Sequence, residues 1–338
     1  MEINTEAIAE AASAASFSGV VSVDVGDVPT FQHCAGLAHR AHQIPNTAST
    51  QFAIASGSKG FTALAVMQLV DAGVMPLDQP VRTILDGDLP LIDDRVTIAH
   101  LLQHTSGIGD YLDENSDWQV DDYVLTVPVH TLITAQSFLP LLDGLAQVFT
   151  PGTQFAYNNG GYVVLGIVIE RLIGQPFQDA IETRVLAPVG LSDTGFLRLD
   201  ELPSSAALGY LHETGDRVNT LHLPVRGSAD GGAFTTVADM HTFWRALFAG
   251  RIVAPETVRL MTTPLHLDPR EDLHYGMGFY LDRTGGTAIL EGYDAGASFM
   301  TWHLIEAATT ITVASNTSEG AWQVAQAVSA ELDKRAPA

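Results

Sequence analysis

The sequence is poor in the residues and segments that several common classes of protein require. Cys34 is its only cysteine, so an intrachain disulfide is excluded and a zinc-thiolate or iron–sulfur site is not expected. Its longest apolar runs, such as residues 61–70, are far shorter than a membrane-spanning helix. The first six residues are acidic and lack the basic and apolar regions of a signal peptide, which predicts a cytoplasmic location.

Positive charge is also scarce. The 338 residues include 16 lysines and arginines against 39 aspartates and glutamates, which gives a formal net charge of −23 at pH 7. Nucleic acids and anionic membranes both select basic surfaces, so neither is expected as a partner. Hydrophobic residues make up 46% of the chain and charged residues 16%, as is typical of a globular protein. A chain of this length can bury a large core, and we expect two lobes.

Lysine itself is nearly absent, which makes the position of one lysine informative. The chain has fourteen arginines but only two lysines, Lys59 and Lys334. Arginine stays protonated at any relevant pH, whereas a lysine among apolar groups or other cations can lose its proton and act as a base. Lys59 follows Ser56 by three residues, so a helix beginning at Ser56 would place both side chains on one face. A serine beside a base is the arrangement that nucleophilic catalysis requires.

The residues around this pair predict a buried helix. Residues 52–55 read Phe-Ala-Ile-Ala, and residues 61–70 are apolar nearly all round the helix. A lysine on a surface helix would be solvated, so these flanks favour a chemical role for Lys59. The spacing by itself is a weak signal, because chance would produce about 0.1 such Ser-x-x-Lys matches in a chain of this composition.

The order of the predicted elements indicates an α/β (α+β) fold with one antiparallel sheet. Segments typical of strands lie near both ends of the chain, at 17–25, 28–34, 275–281, 287–292, 298–304 and 309–314. Helices are predicted at 4–16 and at about 319–334, and the middle of the chain is mostly helical. Residues 1–60 and 250–338 are therefore predicted to form one discontinuous α/β domain with the sheet flanked by helices. Residues 61–249 are predicted to form a mostly helical domain, with the active site at the seam between the two.

A second candidate pair, Tyr157 and Asn159, lies about 100 residues after Ser56 in the sequence Pro-Gly-Thr-Gln-Phe-Ala-Tyr-Asn-Asn-Gly-Gly-Tyr (151–162). A tyrosinate near cations can share the work of a general base, and a carboxamide can position a substrate or a lysine. The other interpretation is a turn in which the asparagines adopt left-handed backbone and the tyrosine packs. The pair alone does not decide between the two.

Taken together and in this order, the segments resemble the serine β-lactamase and penicillin-binding protein family. The similarity is to the branch of class C β-lactamases, DD-peptidases and β-lactamase-like esterases. It extends from about residue 19 to residue 320. The matching segments are 52–63 around Ser-x-x-Lys, 101–108 (Leu-Leu-Gln-His-Thr-Ser-Gly-Ile), 157–159 leading into 165–170, and 231–239. The resemblance implies a β-lactamase/transpeptidase-like fold.

The same resemblance implies a role for each candidate residue. Ser56 would be the acylated nucleophile, Lys59 its activating partner and Tyr157 the second member of the proton relay. Asn159 would contact Lys59 or the amide of the substrate. The backbone N–H of Ser56, together with one from the strand after the third motif, would stabilise the oxyanion, as suits the N-terminus of a helix.

The third motif of that family is where this sequence departs from it. Relatives carry lysine or histidine, any residue, and then glycine on an edge strand beside the site. Here the segment 290–299 reads Leu-Glu-Gly-Tyr-Asp-Ala-Gly-Ala-Ser-Phe, with Gly292 at the glycine and Leu290 at the position of the cation. The resemblance implies that Leu290, Gly292 and Ser298 border the bound substrate.

Leucine at position 290 bears on the choice of substrate. It can neither pair with a carboxylate nor relay a proton, and losing such a charge-assisted hydrogen bond weakens binding about ten- to a hundredfold. Penicillins and peptidoglycan stems carry a carboxylate, so a neutral ester, amide or lactone becomes the better candidate. Glu291 and Asp294 would repel an anion if they face the cleft, and Arg226 is one candidate for a replacement cation.

The leading hypothesis is therefore a serine hydrolase, without metal or cofactor, that acts through an acyl-enzyme on a small ester or amide. The alternatives are a β-lactamase or D-amino-acid peptidase and, in another class, a non-catalytic ligand-binding or sensor protein. The expected partner is a small ester, amide or lactam. Residues 108–135 are interpreted either as a wall or lid of the cleft or as an ordinary surface loop.

Overall fold

Both ends of the chain build one large antiparallel sheet. The computed structural model describes residues 4–112 and 124–333, and within them the sheet has eight strands in the order β2-β1-β12-β11-β10-β9-β8-β7. Its strands are β1 (Gly19–Val25), β2 (Val28–Ala35), β7 (His266–Asp268), β8 (Leu273–Tyr275), β9 (Tyr280–Leu281), β10 (Thr287–Asp294), β11 (Ala297–Leu304) and β12 (Thr309–Ser315). This confirms the predicted fold class.

The described residues also form α-helices, most of them in the chain between β2 and β7. They are α1 (Thr5–Ala14), α2 (Lys59–Asp71), α3 (Arg82–Leu85), α4 (Ile98–Leu102), α5 (Leu139–Leu142), α6 (Asn159–Ile173), α7 (Phe177–Ile181), α8 (Val237–Phe248), α9 (Pro255–Met261) and α10 (Gly320–Asp333). Short strands also occur, namely β3 (Leu37–His39), β4 (Ile44–Pro45), β5 (Phe52–Ala53) and β6 (Phe234–Thr235). Among these, β5 pairs with β6 just before α2 and ties the start of that helix in place.

The sheet is covered by helices on both faces. Val21 and Val23 of β1 belong to a core that includes Ile8 of α1 and Val328 of α10. Val20, which points the other way because side chains alternate along a strand, belongs to the core that contains α2 and α6. The residues of α2 are buried nearly all round, as its apolar sequence predicts.

Helix α8 packs against the sheet, although the domain boundary predicted at residue 249 assigns this helix to the mostly helical domain. It lies against β1 and β12, and the indole Nε1 of Trp244 donates a hydrogen bond to Thr301 Oγ1 on β11 at 3.0 Å. In packing terms, the sheet layer therefore begins before residue 250.

The strand predicted over 275–281 is wrong as a single element. The backbone turns back between β8 and β9, with Tyr275 paired to Tyr280 and the N–H of Gly276 donating to Phe279 O at 2.9 Å. Gly278 has φ +89°, a conformation that glycine adopts without steric penalty. The alternating side chains gave the segment the pattern of a strand, and its glycines make it a tight hairpin.

Within residues 4–112 and 124–333, no helix has the length and apolar character needed to cross a bilayer. The cytoplasmic location stays a prediction.

Candidate active site

Ser56 lies in a 3₁₀ turn, Ala55–Ser58, that leads directly into α2. Ala55 has φ +43°, which is strained for a residue with a side chain and is typical of functional turns. Ser58 holds the turn, because its hydroxyl donates to Ala55 O at 2.8 Å and accepts the N–H of Ala233 at 3.0 Å. The turn therefore presents Ser56 to a cleft in a fixed orientation.

Lys59, the first residue of α2, is buried to 2% exposure beside this serine. Its Nζ lies 2.8 Å from Ser56 Oγ, 2.8 Å from Asn159 Oδ1 and 2.7 Å from the backbone oxygen of Asp230. The structure thus brings together the serine and lysine that sequence spacing placed on one helical face. It also adds Asn159, from 100 residues further along the chain.

The partners of this amine define what it can do. The oxygens of Asn159 and Asp230 are pure acceptors, so each needs an N–H from Lys59. A neutral amine has two N–H bonds and one lone pair. With both N–H bonds directed to these acceptors, the lone pair is left for the hydroxyl hydrogen of Ser56. The arrangement is that of a general base aimed at its nucleophile.

Asn159 is positioned by the N-terminus of α6. Its own N–H and that of Gly160 donate to the two carboxylate oxygens of Asp110, at 2.7 and 2.9 Å. The side chain of Asn158 accepts the N–H of Gly161 at 2.6 Å and donates to Ile108 O at 2.9 Å. A carboxylate at a helix N-terminus is stabilised by the helix dipole, so this end of α6 is well anchored.

Tyr157 lies near both Lys59 and Arg270. Lys59 Nζ is 4.8 Å from the centroid of its ring, and Arg270 Cζ is 5.7 Å from the same centroid. Both distances fall within the range of a cation–π contact. The ring also stacks on Tyr280, with centroids 6.3 Å apart and planes 8° from parallel. The guanidinium of Arg270, and the ammonium group that Lys59 becomes when it accepts a proton, favour the phenolate of a tyrosine that passes protons.

His104 supports this turn from behind. It is 1% exposed, its ring contacts that of Tyr157 at a tilt of 31° with centroids 4.4 Å apart, and its Nδ1 accepts the N–H of Asn158 at 3.0 Å. Burial, reinforced by the charges of Lys59 and Arg270, holds the pKa of His104 well below its usual range. The imidazole is therefore neutral, and since Nδ1 accepts, its hydrogen is on Nε2. Its role is to position the 157–159 turn.

Arg270 is held in place by a buried carboxylate. It donates to both oxygens of Asp268, at 3.3 and 3.0 Å, and Tyr280 donates to the same carboxylate at 3.0 Å. Burial tends to raise the pKa of Asp268, but the hydrogen bonds from Arg270 outweigh it and the pKa is lowered. Arg226, the replacement cation considered from sequence, instead donates to Phe196 O at 3.1 Å and does not line the cleft.

Gly292 brings the third-motif strand against the nucleophile turn. A Cβ built at this position would lie 2.2 Å from Ile54 O and 2.7 Å from the nitrogen of Ser56. Only glycine permits so close an approach of two backbones. The N–H of Ser56 and the backbone of β10 thus meet at one edge of the cleft, where an oxyanion hole is expected.

Leu290 and Ser298 are not part of the cleft, and the expectation that they border the substrate is corrected. Leu290 is 3% exposed and packs towards Gly60 and Phe279, because residues 290 and 292 share the inward face of β10. Ser298 is fully buried, and its hydroxyl donates to Thr317 O at 2.8 Å and accepts the N–H of Ala321 at 3.0 Å. Its role is to anchor the start of α10.

The cleft beside Ser56 has an empty volume of about 610 Å³, counted to its open mouth. Its apolar wall is formed by Leu112, Leu199, Leu223, Pro224 and Phe234. Its polar lining includes Ser56, Tyr111, Asn159, Ser228, Asp230, Tyr293 and Asp294. Of the two acidic residues considered from sequence, Asp294 lines the cleft, whereas Glu291 lies near Tyr280, where burial above all, with Tyr157 and Glu291 adding to it, raises the pKa of the phenol.

The sequence profile of the Beta-lactamase family matches residues 5–334. The chain belongs to the beta-lactamase family. Among solved structures, the penicillin binding protein from Bacillus halodurans is 36% identical with a TM-score of 0.88, covering 96% of this chain and 99% of that one. This confirms the family suggested by the Ser-x-x-Lys and Tyr-Asn-Asn segments.

Curated relatives in the beta-lactamase family have different names and greater lengths. Penicillin-binding protein 4* of Bacillus subtilis (strain 168) is 27% identical over 283 residues, which are 79% of this chain and 60% of the relative. Esterase EstB of Burkholderia gladioli is 34% identical over 189 residues, 53% of this chain and 46% of the relative. The chain thus spans between 46% and 60% of these relatives. The names of these relatives do not point to a single class of substrate.

Three residues of this beta-lactamase family site were missed by sequence reasoning, namely Ser228, Asp230 and Arg270. Asp230 directly precedes the Gly-Gly pair of a segment that carries the family resemblance, which was the available signal. Arg270 follows an Asp-Pro pair that is typical of a surface turn, so nothing in the neighbouring sequence predicts a role for it in the site. The predicted wall or lid at 108–135 includes Tyr111, which lines the cleft, whereas residues 113–123 lie outside the described residues.

Substituting Gly292 by alanine should disrupt the site. The new methyl group would meet the backbone of Ile54 and Ser56, so the strand must move away from the nucleophile turn. Misplacement by about 1 Å is enough to lower kcat/KM roughly 100-fold, and overpacking should cost about 1–3 kcal/mol of unfolding free energy. Steady-state kinetics and urea unfolding measure the two effects.

Gly87→Ala is the matched control, because a Cβ built there meets no atom within 4 Å. It should retain activity and stability. Wild-type kinetics in the Gly292→Ala variant would show that the close approach of β10 is unimportant.

Proposed function

We propose that this protein is a serine hydrolase that acts through an acyl-enzyme on a small ester or amide. The observation that carries the proposal is the contact of Lys59 Nζ with Ser56 Oγ at 2.8 Å, beside the contacts of the same nitrogen with Asn159 Oδ1 and Asp230 O. Membership of the beta-lactamase family supports it. The proposed partner is a small ester, amide or lactam.

Acylation begins with Lys59 in its neutral form. The hydroxyl proton of Ser56 passes to Lys59 Nζ as Oγ bonds to the substrate carbonyl carbon. The carbonyl electron pair moves onto oxygen, where the N–H of Ser56 and one from β10 stabilise the negative charge. Collapse of this intermediate breaks the bond to the leaving group, which takes the proton from Lys59, directly or through Tyr157.

Deacylation repeats these steps with water. A water molecule adds to the acyl carbon and gives its proton to the relay of Lys59 and Tyr157. The second tetrahedral intermediate then releases the acid and returns the proton to Ser56 Oγ. Arg270 contributes electrostatically, because a cation beside the Tyr157 ring favours the phenolate that forms if the tyrosine passes a proton.

The charges around the cleft favour a neutral acyl group over a carboxylate substrate. Two carboxylates, Asp230 and Asp294, line the cleft. An anionic ligand would meet like charge at both. This supports ester or amide hydrolysis over the alternative of β-lactam or D-amino-acid peptide hydrolysis.

Parallel assays on one sample test the proposal. A fluorophosphonate probe should form an adduct on the peptide containing Ser56, as detected by mass spectrometry. The value of kcat/KM for p-nitrophenyl acetate or butyrate should exceed that for nitrocefin.

Two results would redirect the assignment. A nitrocefin kcat/KM clearly above the ester values would favour the β-lactamase alternative. Absence of an adduct on Ser56 in folded protein, together with no turnover of either substrate, would favour a non-catalytic ligand-binding or sensor protein.

A further inference from the structure

Two of the oxygens that contact Lys59 Nζ come from distant parts of the chain. One is Oδ1 of Asn159 on α6, at 2.8 Å, and the other is the backbone oxygen of Asp230, at 2.7 Å. Because neither belongs to α2, something outside that helix must fix where these oxygens lie relative to the amine. Residues 110–112 (Asp-Tyr-Leu), which follow shortly after the 101–108 segment, bind to both Asn159 and Asp230.

Asp110 fixes the backbone at the start of α6. Its carboxylate accepts the N–H of Asn159 at 2.7 Å and that of Gly160 at 2.9 Å, two groups that have no acceptor within the helix. Its Oδ1 also accepts the N–H of Leu112 at 3.3 Å, which turns the chain back towards α6. One carboxylate therefore places both Asn159 and Leu112.

Leu112 fixes the side chain of Asn159. The Nδ2 of this amide donates to Leu112 O at 3.2 Å, while its Oδ1 accepts from Lys59. An amide has one donor end and one acceptor end, so the bond at Nδ2 selects the orientation in which Oδ1 faces the amine. With the amide reversed, its N–H donors would face Lys59, and the amine would lose this acceptor.

Tyr111 contacts the residue that supplies the other oxygen. Its phenolic hydroxyl donates to Asp230 Oδ2, and the backbone of the same aspartate accepts from Lys59. The ring of Tyr111 packs edge-on against buried Phe138, with centroids 6.2 Å apart, which anchors the phenol. The three residues thus bind the two partners of Lys59 through separate side chains.

We propose that residues 110–112 position Lys59 as the base of the reaction, with Asp110 acting through Asn159 and Tyr111 acting through Asp230. Both are positioning residues, and their effect falls on the proton transfer from Ser56. A base displaced by about 1 Å from its nucleophile loses about 100-fold in rate. The inference rests on the proposed hydrolysis at Ser56 and extends it to residues that hold the base.

Labelling kinetics of Asp110→Ala test the proposal. The rate of fluorophosphonate labelling at several probe concentrations gives the maximal rate constant, kinact, and the half-saturating concentration, KI. We expect kinact to fall about 10- to 100-fold. KI should stay within about twofold, because Asp110 is not among the described residues that line the cleft. An unchanged kinact, or a loss that lies in KI, would overturn the inference.

A double-mutant cycle distinguishes positioning from general support of α6. In Asn159→Ala no side-chain amide remains to be oriented, so adding Asp110→Ala should lower kinact by a further threefold at most. If Asp110 only stabilised the helix, the two losses would multiply. A further loss as large as that in the wild-type background would therefore reject the positioning role.

Tyr111→Phe tests the second contact. This change keeps the ring against Phe138 and removes only the hydroxyl that donates to Asp230, so kinact should fall about fivefold, as for the loss of one hydrogen bond. An unchanged kinact would overturn the link through Asp230.

Asn4→Ala is the matched control, because it also removes a side chain that accepts an N–H at the start of a helix. That helix, α1, packs on the opposite face of the sheet from α2. The control should leave kinact and KI unchanged. Circular dichroism and thermal unfolding show which variants fold. If Asp110→Ala does not, Asp110→Asn keeps one acceptor oxygen and replaces it in the cycle, with an expected loss of about fivefold in kinact.

The wild-type protein separates this inference from the proposed function. If fluorophosphonate does not label wild-type Ser56, the proposed function fails and the positioning role fails with it. If wild-type Ser56 is labelled and folded Asp110→Ala is labelled at the same rate, only the positioning role is rejected.

Discussion

Replacing Ser56 by alanine should remove essentially all hydrolysis while leaving the fold intact. The proposed covalent step needs the hydroxyl oxygen that lies 2.8 Å from Lys59 Nζ, and alanine lacks it. We expect kcat/KM for a p-nitrophenyl ester to fall about 1,000-fold or more, in line with the loss of other catalytic nucleophiles. The fluorophosphonate adduct should disappear at the same time.

Stability should change little in this variant. Lys59 loses its contact with Ser56 Oγ but keeps Asn159 and the carbonyl of Asp230, so we expect a loss of about 1 kcal/mol or less in unfolding free energy. Ser49→Ala, at an exposed serine seven residues earlier, should behave as wild type in every assay. Ester turnover that survives in folded Ser56→Ala would exclude this serine as the nucleophile.

Changing Lys59 to arginine should lower kcat/KM by about 100- to 10,000-fold, the range attributed to a general base. Arginine keeps the positive charge but does not release its proton, so it cannot accept the hydrogen of Ser56. The guanidinium is also planar and larger, and it must fit where Lys59 is 2% exposed. Steady-state kinetics with a p-nitrophenyl ester measure the effect, and circular dichroism with thermal unfolding shows whether the variant folds.

Lys59→Met removes the buried charge and complements the arginine variant. It should also be inactive, yet it avoids crowding by a guanidinium, so loss of activity in both folded variants isolates the proton-accepting role. Lys334→Arg changes the only other lysine of the sequence and should have no effect on turnover. If folded Lys59→Arg retains near-wild-type kcat/KM, the amine is not the base.

The elements that sequence predicted best are those whose signal is local. Helix α1 was predicted at 4–16 and α10 at about 319–334, and both lie within a few residues of those bounds because apolar spacing along one helix reflects its own buried face. The strand predicted at 275–281 fails because alternation cannot distinguish a continuous strand from a hairpin with glycines at its turn. The sheet order, which brings β1 beside β12, is not encoded in any single segment.

The candidate site likewise combines contacts that sequence spacing predicts with contacts that depend on the tertiary fold. Ser56 and Lys59 are three residues apart, so their meeting follows from helical geometry once the segment is read as a helix. Arg270 contacts Tyr157 only because the β7–β8 hairpin lies beside the 157–159 turn. The family resemblance predicts position 290 at the border of the substrate, but the pleat of β10 turns Leu290 inward together with Gly292.

By itself, the sequence determined which chemistry is available: a serine, a scarce lysine one helical turn away, and a family pattern of segments around them. That information is local, since it depends on spacing along one helix and on short motifs. Only the tertiary structure decided which charges surround the reacting groups. Ser228, Asp230 and Arg270 reach the site through backbone turns whose positions depend on packing across the whole molecule. No periodicity within their own segments could report those positions.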